Sequence, residues 1–181
     1  MLYSKETILQ RVKKIILTGP ESTGKTTLAK ALSRALNVAW VPEYARQYLL
    51  EKNGSYHYDD LRQIAQGQLE METRFSSKAS EFLILDTSML VLKIWSETKY
   101  RKADPYILNR LELEKKAIYI LCKPDIPWQA DPLRENENDR HDLFEIYKTY
   151  LETNNCTFVI VSGSEKNRIK MARDFIKGNL Y

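Results

Sequence analysis

Gly19-Pro20-Glu21-Ser22-Thr23-Gly24-Lys25-Thr26, with Thr27 after it, has the spacing G-x-x-x-x-G-K-[ST] of a phosphate-binding P-loop. Gly19 and Gly24 let the backbone turn where a Cβ would clash. They also let N–H groups along Glu21, Ser22 and Thr23 approach phosphate oxygens. Lys25 can reach the β- and γ-phosphates as a point charge. The Thr26 hydroxyl can ligate Mg²⁺, which takes oxygen ligands in near-octahedral geometry. Residues 12–18 before the loop form a short apolar, β-branched run and are predicted to be a buried strand. After it, Leu28, Leu32 and Leu36 fall on one face of a helix predicted over residues 27–36. Strand, glycine loop and helix is the order in which a helix N-terminus faces an anion. The bland reading, a glycine turn between strand and helix, leaves that order unused.

Working outward, residues 37–41 are predicted to be a second strand, stopped by Pro42, and Glu43 opens a helix over residues 43–50. In a parallel α/β sheet, ligands bind beyond the carboxyl ends of strands. Glu43, Tyr44 and Arg46 therefore begin at the ligand edge, although a Glu in a first helical turn also suits the helix dipole. A long helix is predicted over residues 58–80. The run Glu81-Phe82-Leu83-Ile84-Leu85-Asp86 then ends an apolar strand in an acid, the Walker B form whose carboxylate sits near Mg²⁺. Alone, such an Asp also marks an ordinary turn. Thr87 and Ser88 can cap a helix over residues 89–97, and Asp104-Pro105 has the N-cap and N1 pattern of another.

Residues 117–122 are the fourth predicted strand. The stretch from Pro124 to Arg140 follows, with three prolines, Trp128, Asp131, Arg134 and several acids. On the phosphate side of the sheet it has the makings of a lid that brings Arg134 and Arg140 to the γ-phosphate when both substrates are bound. The competing reading is a surface loop. A helix over residues 141–152, with Leu143, Ile146, Tyr147 and Tyr150 inward, a strand over 157–161 and a helix over 165–177 complete the pattern. Residues 1–11 read as a short helix or lead-in.

A length of 181 residues fits one domain, residues 1–181. No apolar stretch approaches the ~20 residues of a membrane span, and residues 1–14 are too polar for a secretory signal. Cys122 and Cys156 lie in apolar runs, so core roles in a reducing cytoplasm are expected rather than a disulfide. The net charge of +4 is spread along the chain, which argues against nucleic acid as a partner. His57 and His141 are far apart in polar surroundings, and no Cys/His spacing points to zinc. Strands alternating with helices predict a three-layer α/β/α P-loop NTPase fold with five parallel strands.

Several of these pieces together resemble the ribosylnicotinamide kinase domain of the bifunctional nicotinamide-nucleotide adenylyltransferase/ribosylnicotinamide kinase proteins. They are Gly19 to Thr26 with its Glu21-Ser22, Pro42-Glu43-Tyr44-Ala45-Arg46, Leu85-Asp86-Thr87, and Asp125-Ile126-Pro127-Trp128 through Asp131-Pro132-Leu133-Arg134. The resemblance runs from about Lys13 to the end. It departs at Pro132, where the family pattern has Gly. Only about a dozen residues precede the first strand, so a stand-alone kinase domain is expected, without the adenylyltransferase.

The resemblance implies ATP- and Mg²⁺-dependent phosphorylation of the 5′-hydroxyl of nicotinamide riboside or a similar nucleoside. It implies that the P-loop from Gly19 to Thr27 holds ATP and that Thr26 and Asp86 serve the metal, Asp86 by holding a metal-bound water or, alternatively, orienting the acceptor hydroxyl. Glu43 would bind a ribose hydroxyl or act as base, with Tyr44, Arg46, Thr87 and Asp131 near the acceptor. Arg134 and Arg140 would close on the transferred phosphoryl. Trp128, Tyr44 or Trp95 would stack on the cationic nicotinamide ring; core packing is the alternative for each. Two rivals remain open: a kinase for another small acceptor, and a nucleotide-binding regulatory ATPase. A homo-oligomer is compatible with all three.

Overall fold

Alternation along the first strand, β1 (Lys13–Thr18), sets the layers: Ile15 and Leu17 face one side, Ile16 the other, and all three are fully buried. A strand apolar on both faces needs cover on both, as in parallel sheets. The computed structural model describes residues 12–76 and 81–179. After β1 come α1 (Lys25–Leu36), β2 (Trp40–Val41), α2 (Tyr44–Glu51), α3 (Tyr58–Ser76), β3 (Phe82–Asp86), α4 (Met89–Tyr100), α5 (Pro105–Glu114), β4 (Ile118–Cys122), α6 (Arg140–Thr153), β5 (Thr157–Val161) and α7 (Glu165–Asn179). The five strands pair in parallel in the order β2-β3-β1-β4-β5. Leu28 and Leu32 of α1 and Ala172 and Ile176 of α7 cover the Ile15–Leu17 face. Residues of α2 to α6 cover the Ile16 face. This is the expected three-layer α/β/α arrangement.

Because β1 is central, the loop after it opens over the middle of the sheet, with β3 and β4 on either side. Asp86 pairs with Leu17 at the same level. P-loop and Asp86 therefore leave the sheet together, as ligand binding at carboxyl ends requires.

Several boundaries differ from expectation. β2 spans two residues, not five, because Asn37 and Val38 terminate α1. Asn37 takes a left-handed conformation (φ 53°), and the N–H groups of Asn37 and Val38 both donate to the Ser33 carbonyl. Helix α6 begins at Arg140, one residue early, and its buried face is Leu143, Phe144, Tyr147 and Leu151; Ile146 is 46% exposed. Helix α4 runs to Tyr100. Asp104 caps α5 as expected, accepting the Tyr106 N–H at 2.7 Å with Pro105 at the helix start. Cys122 and Cys156 are buried free thiols. The lead-in considered for residues 1–11 lies outside the described residues, as does the 77–80 end of the long helix. Among the described residues no helix is long and apolar enough to cross a membrane.

Candidate active site

Gly19, at φ 127°, runs so close to β4 that a Cβ there would lie 2.8 Å from the Cys122 carbonyl. The loop then passes through Ser22, a non-glycine residue at φ 54°, and enters α1 from Gly24 at φ 79°. The Thr23 hydroxyl donates to the Pro20 carbonyl at 2.9 Å. The Lys25 ammonium donates to the carbonyls of Gly19 (2.9 Å) and Pro20 (2.6 Å), so its charge is held at the loop's mouth. Thr26 and Thr27, the next two residues of α1, border the same cavity of about 610 Å³.

Asp86, at the end of β3, is 2% exposed and lies beside the Thr26 hydroxyl. Burial pushes its carboxyl up; Thr26, Lys25 and Lys30 oppose that shift. Glu43 lines the same cavity. Burial, with Asp86 and Glu21 nearby, pushes its carboxyl up to about 7, against the pull of Lys25 and Arg46. A carboxyl tuned near neutral pH at a cavity wall is a candidate general base. A hydroxyl and a carboxylate are hard oxygen donors and fit Mg²⁺. Among the described residues no cluster of three or more His, Cys, Asp or Glu side chains is placed to cage a metal. Mg²⁺ characteristically takes one or two protein oxygens and completes its shell with phosphates and water.

The segment between β4 and α6 lies across the P-loop and is fastened to it. Ser22 Oγ accepts the Gln129 N–H at 2.9 Å and Arg134 Nη1 at 3.4 Å. Glu21 Oε2 accepts the N–H groups of Glu135 and Asn136, each at 3.0 Å. Arg140 donates to the carbonyls of Ser22 (3.3 Å) and Ile126 (3.1 Å). Both arginines of the expected lid thus rest on Ser22 of the P-loop. Trp128 underlies them, its ring 5.8 Å from the Arg134 guanidinium and 5.5 Å from that of Arg140. Away from the P-loop, Asp131 pairs with Arg46 at 2.7 Å. Tyr56, Trp95, Lys99 and Glu135 form a second tie. The Tyr56 hydroxyl accepts from Trp95 Nε1 (2.7 Å) and Lys99 (2.6 Å) and donates to Glu135 (2.9 Å).

The structure thus gathers Lys25, Thr26, Glu43, Arg46, Trp95, Asp131 and Arg134 around one cavity. Asp86 lies beneath it through Thr26. Trp128, Thr87 and Tyr44 are not among the cavity-lining residues. Trp128 serves the arginines. Thr87 is buried at φ 109° with no hydrogen-bond partner for Oγ1. Tyr44 packs toward α3 and Tyr48. Of the three aromatics considered for stacking on an acceptor ring, only Trp95 faces the cavity. Arg140 stays behind Arg134 as a brace for the loop.

Sequence reasoning missed Arg168 of α7, which is 5% exposed. Its guanidinium donates to the carbonyls of Thr23 (3.0 Å), Lys123 (3.0 Å) and Gly163 (2.9 Å) and pairs with Asp125. One side chain therefore joins the P-loop, the loop after β4 and the loop after β5. Glu114 was also missed. It accepts the Met89 N–H at 3.1 Å and fixes the start of α4 three residues beyond Asp86. Neither carries a spacing signal.

A parallel sheet of this order with a P-loop after its central strand defines a P-loop nucleotide-binding domain. The chain belongs to the AAA domain family, whose model (AAA_28) matches residues 14–168. It is 26% identical over 156 residues to the trifunctional NAD biosynthesis/regulator protein NadR of Escherichia coli (strain K12), covering 83% of this chain and 38% of that protein. The Salmonella typhimurium protein of the same name is 25% identical over 160 residues, covering 85% and 39%. The chain therefore spans less than two fifths of the length of the curated relatives it matches. Among solved structures, a NadR protein in complex with NR superposes with a TM-score of 0.77 at 21% identity, covering 96% of this chain and 52% of that one. A deoxyadenosine kinase from M. mycoides gives 0.64 at 16% identity, covering 91% and 98%. These neighbours carry the fold. The NadR-like resemblance drawn from the motifs is found in both comparisons.

Proposed function

We propose that this chain is an ATP-dependent kinase that phosphorylates the 5′-hydroxyl of nicotinamide riboside or a closely similar nucleoside. The observation that carries the reading is a single cavity lined both by Lys25 and the P-loop and by Glu43, Trp95 and apolar Leu49 and Ile94. A phosphate site and a half-apolar acceptor chamber are thereby continuous. The similarity to NadR proteins supports the choice of acceptor.

In this reading the P-loop amides and Lys25 hold the β- and γ-phosphates. Thr26 and Asp86 would hold Mg²⁺, which neutralises charge on the phosphate oxygens when bound. Glu43 accepts the proton of the acceptor hydroxyl as its oxygen bonds to the γ-phosphorus and the bond to the ADP oxygen breaks. Arg134 faces the transferring group, where positioning and charge provide most of the acceleration. Trp95 offers a ring to a flat, cationic base. The lid segment excludes water, so hydrolysis without acceptor is slow.

The test is ADP release from MgATP against a panel of nucleosides, with the product weighed by mass spectrometry. Acceptor-dependent ADP release, fastest with nicotinamide riboside and yielding its mononucleotide, is expected. Preference for another nucleoside would keep the kinase and replace the acceptor. ADP release indifferent to every acceptor would overturn the kinase reading.

A further inference from the structure

We infer that Gln68 on α3, beside Gly67, is the positioning residue that holds the turn carrying Glu43 at the phosphate-binding loop; this rests on the kinase reading above. Glu43 holds the N-cap position of α2 in extended conformation (φ −69°, ψ 113°), yet makes no capping hydrogen bond. N-cap side chains that do turn back accept the N–H of the second or third helical residue, and the Glu43 side chain does not. Here the Tyr44 N–H, at the start of α2, donates to Gln68 Oε1 at 2.8 Å. The other half of the same amide, Nε2, donates to the Pro42 carbonyl at 3.5 Å. One side chain from another helix therefore grips the backbone on both sides of Glu43. Gln68 is 1% exposed, so water does not compete for these groups.

Its neighbour supplies the room. A Cβ at Gly67 would lie 2.0 Å from the Tyr44 ring. Only glycine there lets the ring lie against α3 and brings the Pro42–Tyr44 turn within reach of Gln68. With the turn held on both sides by Gln68, the Glu43 carboxylate lies among Lys25, Asp86, Glu21 and Arg46. Gln68 touches none of the reacting groups and acts through the turn.

The test replaces Gln68 by Met, which keeps length and removes both hydrogen-bonding atoms. We expect kcat to fall roughly ten- to a hundredfold, the scale of one or two lost buried hydrogen bonds, with KM for ATP within about twofold of wild type. The Tyr44 amide should exchange its hydrogen at least about tenfold faster by NMR. Gln68→Glu, which keeps an acceptor for Tyr44, should recover part of kcat. If Gln68→Met does not fold, Gln68→Asn is measured the same way, since it withdraws the amide by one methylene. Unchanged kcat and unchanged Tyr44 exchange in a folded variant would overturn the inference. So would an equal loss on making Gln68→Met in a Glu43→Gln background, because the effect would not pass through Glu43. Glu43→Gln at full rate would instead sink the role of Glu43. A slow Glu43→Gln beside a fast Gln68→Met would sink the positioning role alone.

Discussion

Replacing Glu43 by Gln should make the protein more stable and much less active, with the gain in stability confined to high pH. The carboxyl is raised from an ordinary value near 4.5 to about 7, chiefly by burial, with Asp86 and Glu21 adding to it and Lys25 opposing. Between those two pH values the folded chain holds a proton that the unfolded chain has released. Stability therefore falls as pH rises through this window, and the full cost is present above pH 7. The rise from near 4.5 to about 7 corresponds to at most about 3 kcal/mol. Because Glu43 borders an open cavity, water screens part of this, leaving about 1–3 kcal/mol. Gln is neutral throughout and carries none of it. For a chain of this size that is a rise in Tm of roughly 2–10 °C at pH 8, vanishing near pH 4.5. Phosphorylation should fall about 10²–10⁴-fold, the contribution of a positioned base. Thermal melts at half-unit pH steps, beside steady-state rates, test both halves. A Tm gain independent of pH, or a loss, would refute the electrostatic reasoning; a normal rate would refute the role of Glu43 as base.

Lys25→Met should leave the melting curve close to wild type and cut turnover roughly 10²–10³-fold, because its two protein partners are carbonyls of the P-loop itself and its charge sits where phosphate binds; near-normal turnover would remove it from phosphate binding. The two arginines should separate. Arg134→Ala, which deletes a cavity-facing charge, should lower kcat more than it raises KM for ATP. Arg140→Ala, which frees the Ser22 and Ile126 carbonyls, should chiefly raise KM for ATP and open the 123–139 segment to protease; identical kinetic profiles would dissolve the distinction.

The P-loop, Asp86 and the layer order were legible because each is local: a spacing, a strand ending in an acid, an alternation of period two or 3.6. The fifth strand agrees residue for residue, since Thr157–Val161 lies between clear turn signals. Failures arise where a third element decides. On α6 the stripe Leu143-Ile146-Tyr147-Tyr150 and the stripe Leu143-Phe144-Tyr147-Leu151 share Leu143 and Tyr147 and both have helical spacing; packing against the sheet selects the second. Trp128 is as suited to a ligand ring as to a guanidinium, and the two arginines that lie against its ring settle it. Gln68 and Arg168 are single polar residues on helices. What marks them is the set of carbonyls and N–H groups that the fold brings to them, and no window of sequence contains that set.

The Arg168 tie also has a consequence in time. Thr23 and Arg168 are 145 residues apart. At about 5–20 residues per second, the ribosome delivers the arginine roughly 7–30 s after the P-loop. During that interval the Thr23 carbonyl lacks its guanidinium, and the loops after β4 and β5 that share it are incomplete or unmade. A contact this far apart in sequence is closed late, because the intervening chain must be ordered first. The nucleotide site is thus finished among the last parts of the molecule, and a nascent chain stalled before α7 carries the whole P-loop motif without the bracing that completes the site.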